Sequence, residues 1–485
     1  MGTKEKFFKG IIFTGSAKYI GLFWNIVISA ILARLLTPND FGTVAIASVF
    51  IAFFYLLSDI GIGSAVVQFH DLTEDEMSSL FGWTVWLGAL LTLIFFIMSF
   101  PIASFYKINQ LVYICQLLSI QIFFTSINIV PSSILLRDKK FKLISLRNIL
   151  IQLVCGIISI AGAFLGMGLY ALLINPVLGA IMSFAVNEIS AKQRINIKPS
   201  IKPLKRIFKF SIFQFLFSVI NYFANNLDKL IIGKTINVRE LGYYGKAGGL
   251  VSQTISNLNG IFDPVLQTFM ADRQNNPEAI KNVYTRMNKI LLTISFPLSA
   301  ILIICSKEIV LILFGGQWLP AVLPCMIVSM GIGWRISSSP TGGILLACKR
   351  TDILFLLGTI NAVLAIIGLM IGAIIFRTIE AVCICGVIIA VLSFVTSYIA
   401  AYHFCFKSTT LPILKFAIKP ILFSIIMLSI YFVFKLFLGS LGLFTSLLIK
   451  FIISSSLCLI FWQFFTNYKP TYYGKIIMQK LNNRH

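Results

Sequence analysis

Residues 7–47, FFKGIIFTGSAKYIGLFWNIVISAILARLLTPNDFGTVAIA, can be laid without a gap on residues 207–247, IFKFSIFQFLFSVINYFANNLDKLIIGKTINVRELGYYGKA, with about ten identities. Among them are Phe8/Phe208, Lys9/Lys209, Ile12/Ile212, Phe13/Phe213, Phe23/Phe223, Asn25/Asn225 and Gly42/Gly242. Shared Ile and Leu carry little weight in an apolar chain; the shared Asn, Gly and Lys positions carry more. The match returns after a shift of about ten residues, where Ile134-Leu135-Leu136 with Lys139-Lys140 lies on Ile344-Leu345-Leu346 with Lys349-Arg350. It continues through Ala171/Ala381, Val177/Val387 and Ser183-Phe184/Ser393-Phe394. Self-similarity of this kind marks two copies of one structural unit.

Outward from the repeat, composition sets the medium. The chain has 485 residues, 58% hydrophobic and 12% charged, against roughly 25% charged in soluble proteins. A water-soluble globule is excluded. A hydrocarbon core about 30 Å thick takes about 20 helical residues to cross, and the apolar runs divide into about fourteen such spans, at 10–33, 41–66, 79–103, 110–136, 144–166, 168–188, 208–233, 241–269, 288–314, 319–346, 353–376, 379–404, 413–438 and 441–466. Pro131, Pro176, Pro264, Pro297 and Pro340 interrupt several of them, which neighbouring helices tolerate in a membrane. The first span follows Lys4, Lys6 and Lys9 as a signal sequence would, but it is too long and lacks a small-residue cleavage site, so it reads as an uncleaved helix.

The net charge of +23 does not indicate nucleic acid, because the basic residues fall between apolar runs rather than on one soluble face. With the N-terminus inside, about 28 of the 40 Lys and Arg fall in cytoplasmic connections and about seven on the opposite side. This bias places both termini in the cytoplasm and favours contact with anionic lipid headgroups. Nine cysteines scattered singly, with Cys383 and Cys385 on different sides of one helix, suggest neither a disulfide framework nor a metal site.

Six spans per copy is an even number, so the copies are parallel repeats. The expected fold is an all-α integral membrane protein of about fourteen helices. An N-terminal lobe covers 1–190, a basic cytoplasmic linker 191–207 and a C-terminal lobe 208–405; two added helices at 406–466 and a cytoplasmic tail at 467–485 follow. Transporters that rock one lobe against the other use this plan. An ion channel would show a repeated filter segment, which is lacking.

The run Ala33-Arg34-Leu35-Leu36-Thr37-Pro38-Asn39-Asp40-Phe41-Gly42, then Ser58-Asp59-Ile60-Gly61-Ile62-Gly63, resembles the opening of Wzx-type polysaccharide flippases of the MOP superfamily. Asn226-Leu227-Asp228-Lys229-Leu230-Ile231-Ile232-Gly233, Leu241-Gly242-Tyr243-Tyr244 and Phe314-Gly315-Gly316-Gln317-Trp318-Leu319-Pro320-Ala321 are similar to that family's second-lobe signatures. The branch most resembled is that of colanic-acid and teichuronic-acid exporters, and the similarity reaches to about residue 400. The resemblance implies two six-helix lobes in a fourteen-helix protein. It also implies movement of undecaprenyl-diphosphate-linked oligosaccharides from the cytoplasmic to the outer leaflet of the bacterial inner membrane. O-antigen, capsule or exopolysaccharide would be the product. A multidrug or metabolite antiporter of the same superfamily is the alternative; its organic cations would favour an acidic cavity.

Such a cargo needs water and hydrogen bonds for its sugars, cations for its diphosphate and lipid for its tail. Span 7 carries Ser211, Gln214, Ser218, Asn221, Asn225 and Asp228 at steps of three or four, one polar stripe. Span 1 repeats it with Thr14, Lys18, Gly21, Asn25 and Ser29. Stripes of this kind line a cavity or hydrogen-bond between helices. Lys18, Lys229, Lys246, Arg335 and Lys450 lie within spans, where an ionised group costs roughly 2.5–3.5 kcal/mol or more without water or a partner. Lys18 and Arg335 are the expected diphosphate ligands from the cytoplasmic side, with Lys246 outward, unless Lys246 snorkels. The substrate cavity is therefore expected to draw on Lys18, Asn25, Asn221, Asn225, Asp228, Lys246 and Arg335, although Asp228 equally suits a salt bridge to Arg34 or Arg239. Lys450 reads as structural or interfacial.

Asp59 and Asp263 suit an inner gate, a coupling H+ or Na+ site, or helix-end hydrogen bonding. Asp71, Glu74, Asp75 and Glu76 suit a helix N-terminus. A membrane enzyme is disfavoured: no connection can hold a catalytic domain, and His70, His403 and His485 are scattered. No cofactor and no catalytic residue are expected; a monomer meeting membrane lipids and polysaccharide polymerase or export machinery is.

Overall fold

The computed structural model describes residues 3–196, 198–271, 277–408, 411–435 and 442–465; within them, side chains 3–18, 277 and 465 and those of parts of α9, α10 and α17, defined below, are not described. Packing divides the chain into two units, Met1–Gly245 and Lys246–His485. The basic tail expected at 467–485 lies outside the described residues.

In the first unit the helices are α1 (Thr3–Leu35), α2 (Pro38–Asp59), α3 (Ile62–Gln68), α4 (Glu74–Tyr106), α5 (Gln110–Ile127), α6 (Ile129–Arg137), α7 (Phe141–Phe164), α8 (Ala171–Ala191), α9 (Ile201–Thr235) and the start of α10 (Val238–Ala271). The second unit continues from α10 into α11 (Pro277–Phe314), α12 (Val322–Met330), α13 (Ile332–Ser338), α14 (Pro340–Ala347), α15 (Thr351–Met370), α16 (Ile379–Ala400), α17 (Leu411–Lys435) and α18 (Leu443–Phe465). No strand occurs among the described residues. Eleven helical segments among them are long and apolar enough to cross a membrane. With the long helices α1, α9 and α10 this is compatible with the fourteen expected. Large apolar side chains face outward, as in Phe164 (70% exposed), Phe355 (73%) and Phe464 (76%), because hydrocarbon rather than water surrounds them. The chain is a multi-pass, all-helical membrane protein.

Local chemistry sets the helix starts. Thr37 and Asp40 form a capping box at α2: the Asp40 amide donates to Thr37 Oγ1 at 3.3 Å and the Thr37 amide to Asp40 Oδ2 at 2.9 Å, with Pro38 preset for the first turn. Thr73 and Glu76 repeat the device at α4, and Glu74, Asp75 and Glu76 fill its first turn. The acidic run is thus the helix N-terminus its sequence suggested.

The duplication is also visible turn by turn. Lys139 (φ 56°) ends α6 and Lys349 (φ 57°) follows α14, both left-handed. The amide of Lys140 donates to Leu135 O at 3.0 Å and that of Arg350 to Leu345 O at 2.8 Å, closing the same C-terminal turn in each unit.

Some spans are broken helices. The fourth expected span is α5 and α6 joined at Asn128, and the tenth is α12, α13 and α14 with joints at Gly331 and Ser339. In the first unit Ile62, Ala65, Leu80, Phe81 and Val130 make the core beneath α3 and α6. In the second, Tyr284, Phe296, Phe394, Tyr398 and Tyr402 pack as an aromatic core. Ala300, Ile304, Met427 and Cys458 fasten α17 and α18 to α11.

Candidate functional site

The first unit holds a cavity of about 380 Å³ between α2, α5, α6 and α8, with Ser48, Tyr55, Gln121, Thr125, Asn128 and Ser132 on its wall. Tyr55 also borders a smaller cavity of about 230 Å³, lined as well by Asp59 and by Phe215 and Ser218 of α9. Asp59 and Ser218, singled out separately in sequence, thus share one pocket. Asp59 Oδ1 accepts from the Gly63 amide at 2.9 Å, which caps the start of α3 just after the left-handed residues Ile60 and Gly61. That bond is the helix-end role foreseen for this carboxylate.

Asp228 and Lys229 turn to different partners, as a 100° helical step requires. Asp228 Oδ2 accepts from Tyr244 Oη at 2.6 Å, while Lys229 Nζ donates to Asn226 Oδ1 at 3.0 Å. Arg239, one of the salt-bridge partners considered for Asp228, donates to Tyr243 Oη at 3.0 Å. Along the same helix Tyr106 Oη donates to Leu230 O at 3.1 Å, and Tyr222 Oη donates to Val49 O. Asn25 is exposed on α1. The side chains of Lys18, Asn221, Asn225 and Asp263 lie outside the described residues.

In the second unit, the Lys246 ammonium stands 5.0 Å from the centre of the Phe314 ring and 5.9 Å from that of Trp318, an attraction between a cation and the ring quadrupole. Arg335 is exposed on α13, the short helix between two joints. A Cβ on Gly386 of α16 would lie 3.7 Å from its Nη2, an ordinary van der Waals separation, so the guanidinium lies beside α16. Lys450 is buried: it pairs with Glu308 of α11 and donates to Tyr431 Oη of α17 at 3.0 Å. Ser446 Oγ donates to the same Glu308 Oε1 at 3.0 Å. Its place is structural, tying three helices together.

Two sets of polar residues escaped the sequence reading. Glu308 is the sole acidic residue of its expected span, 288–314, and an intramembrane Lys at 450 was reason to look for it. Arg147, in sequence only one of the basic residues on the cytoplasmic side, is the second. Its Nη1 donates to Asn187 Oδ1, and Asn187 Nδ2 donates to Asn128 Oδ1 at 2.7 Å. No periodicity marks that chain, because its members come from α7, α8 and the α5–α6 joint.

Residues 31–323 match the family described as "Polysaccharide biosynthesis protein". The chain is 28% identical over 337 residues to the teichuronic acid biosynthesis protein TuaB of Bacillus subtilis (strain 168), covering 68% of this chain and 69% of that protein. It is 23% identical over 377 residues to the lipopolysaccharide biosynthesis protein WzxC of Escherichia coli (strain K12), covering 77% and 76%. Among solved structures it is similar to the lipid II flippase MurJ in an inward closed conformation, with a TM-score of 0.72, 18% identity and coverage of 94% of this chain and 98% of that one. That likeness concerns the fold.

Proposed function

The chain belongs to the polysaccharide biosynthesis protein family, and on that premise we propose that it flips undecaprenyl-diphosphate-linked oligosaccharide repeat units across the bacterial cytoplasmic membrane by alternating access. The observation that carries this reading is the family match over residues 31–323, more than half of the chain. The names of the relatives speak of teichuronic acid and lipopolysaccharide biosynthesis, which supports a glycan precursor as cargo. The likeness to a lipid II flippase fold supports a lipid carrier.

The proposed topology keeps both termini cytoplasmic, with parallel lobes at 1–190 and 208–405 that rock about the cargo. Lys18 and Arg335 take the diphosphate from the inside and Lys246 from the outside. Arg335 offers the planar fork that suits phosphate, whereas Lys246 acts as a point charge. Asn25, Asn221, Asn225 and Asp228 supply hydrogen bonds to the sugars. Asp59 and Asp263 serve the inner gate or bind H+ or Na+. No chemical step is assigned to the protein; it binds, shields and releases.

Depletion of the protein is expected to strand undecaprenyl-diphosphate-linked oligosaccharide on the cytoplasmic leaflet, read by accessibility to an impermeant lectin in right-side-out and inverted vesicles. Normal outward display on depletion would sink the proposal. Accumulation of a small dye or drug instead would favour the antiporter.

A further inference from the structure

The 380 Å³ cavity of the first unit mixes apolar wall (Ile51, Leu118, Ile129 and Pro176) with polar side chains, and no ionised side chain stands on its wall among the described residues. Ser48 Oγ donates to Val44 O at 2.7 Å, Thr125 Oγ1 to Gln121 O at 2.7 Å and Ser132 Oγ to Ile129 O at 3.0 Å. Each hydroxyl proton is thereby committed to its own helix, which leaves the oxygen lone pairs as acceptors for whatever enters.

Donors come from Asn128, and their direction is set from behind. A guanidinium has no acceptor, so Asn187 must turn Oδ1 toward Arg147. Asn187 Nδ2 must then donate to Asn128 Oδ1, as its 2.7 Å contact requires. What remains to Asn128 is its Nδ2 group with two N–H donors. Asn187 is fully buried, so a reversed amide would leave buried polar atoms unsatisfied, at roughly 1–3 kcal/mol each. Arg147 itself is held by Nε and Nη2 donating to Asn148 Oδ1 at 3.1 and 2.6 Å. The chain therefore runs one way, from a cation through two amides to the cavity wall.

We propose that this cavity is a binding subsite for one glycosyl ring of the cargo, in which Asn128 donates from Nδ2 to a ring oxygen or hydroxyl and Arg147 is a positioning residue that holds Asn128 in that sense. A sugar hydroxyl both donates and accepts, and the wall offers both: acceptors from Ser48, Thr125 and Ser132, donors from Asn128. Tyr55 also stands on the wall. A diphosphate would need cations on the wall and an organic cation would need carboxylates; among the described residues neither kind lines this cavity. Its volume falls at the small end of the roughly 300–1,000 Å³ of small-molecule sites, room for one ring and water rather than a whole repeat unit.

The inference rests on the transport reading, because it takes its ligand from the cargo. The test uses the full chain in phosphatidylethanolamine/phosphatidylglycerol nanodiscs and saturation-transfer difference NMR with methyl β-D-glucopyranoside and methyl β-D-glucuronide as probes, and glycerol as control. Transfer to the ring protons of at least one glycoside is expected in the wild type. It is expected to fall roughly tenfold in Asn128→Leu, the loss of one good hydrogen bond. It should fall in Arg147→Leu, in protein that remains folded, and recover in Arg147→Lys, which restores a donor to Asn187. Should Asn128→Leu fail to fold, Gln121→Leu removes a wall amide outside the Arg147 chain and should also weaken transfer. Equal transfer to glycerol and the glycosides, no transfer to either glycoside, or undiminished transfer in the folded Asn128 or Gln121 variant would overturn the subsite. Loss in Arg147→Lys equal to that in Arg147→Leu would overturn the positioning role. Lipid-carrier display in depleted cells is read separately, so either idea can fail while the other stands.

Discussion

Gly42 of α2 and Gly242 of α10, equivalent positions of the duplication, each face the backbone of the other's helix start. A Cβ on Gly42 would lie 1.9 Å from Val238 O, and one on Gly242 would lie 2.0 Å from Pro38 O. The two copies of the helix start thus cross backbone to backbone, and only glycine permits the approach. Gly42→Ala or Gly242→Ala is expected to destabilise by about 1–3 kcal/mol, the usual cost of overpacking, measured as thermal unfolding in detergent. Unchanged melting in both variants would show that the helices do not cross this closely.

Glu308 and Lys450 make a buried pair. Lys450→Met alone strands Glu308 and is expected to destabilise by about 3–5 kcal/mol, whereas Glu308→Leu with Lys450→Met is expected to be near neutral or stabilising. Export should persist in the double variant if the pair only fastens α18 to α11. Loss of export from a well-folded double variant would give the pair a part in the transport cycle.

The Tyr244 hydroxyl holds Asp228 at 2.6 Å. Tyr244→Phe is expected to cost about 1.5–3 kcal/mol, as for a hydrogen bond to a charged group. The Asp228→Asn/Tyr244→Phe cycle should show a coupling energy of at least about 0.5 kcal/mol. Strictly additive losses would argue against the contact.

Lys18→Ala and Arg335→Ala are each expected to abolish polysaccharide export while leaving the protein folded and inserted. Arg335→Lys should retain only part of the activity, since a lysine lacks the bidentate fork. Full surface display in both alanine variants would remove the cationic-site proposal.

Much of the fold was legible because membrane insertion imposes a simple code. Spans are counted from apolar length, and Thr37 with Asp40 and Thr73 with Glu76 announce helix starts by spacing alone. Lys450 was legible as a charge out of place, because hydrocarbon tolerates none without a partner. Its partner Glu308 was not, since 142 residues separate the two and no local pattern joins them. Asp59 was legible as a candidate, yet its bond to Gly63 depends on the left-handed turn at Ile60 and Gly61.

By itself, the sequence determined the medium, the helical class and the internal duplication, because hydrophobic length and periodicity are properties of the chain read in order. Only the tertiary structure decided which residues meet: Asp59 with Ser218 on the wall of one pocket, the Gly42 backbone against that of Val238, and Arg147 through Asn187 to Asn128. Hydrogen bonds act over about 3 Å and depend on direction, so they are set by how helices distant in sequence pack, and nothing along the chain records that.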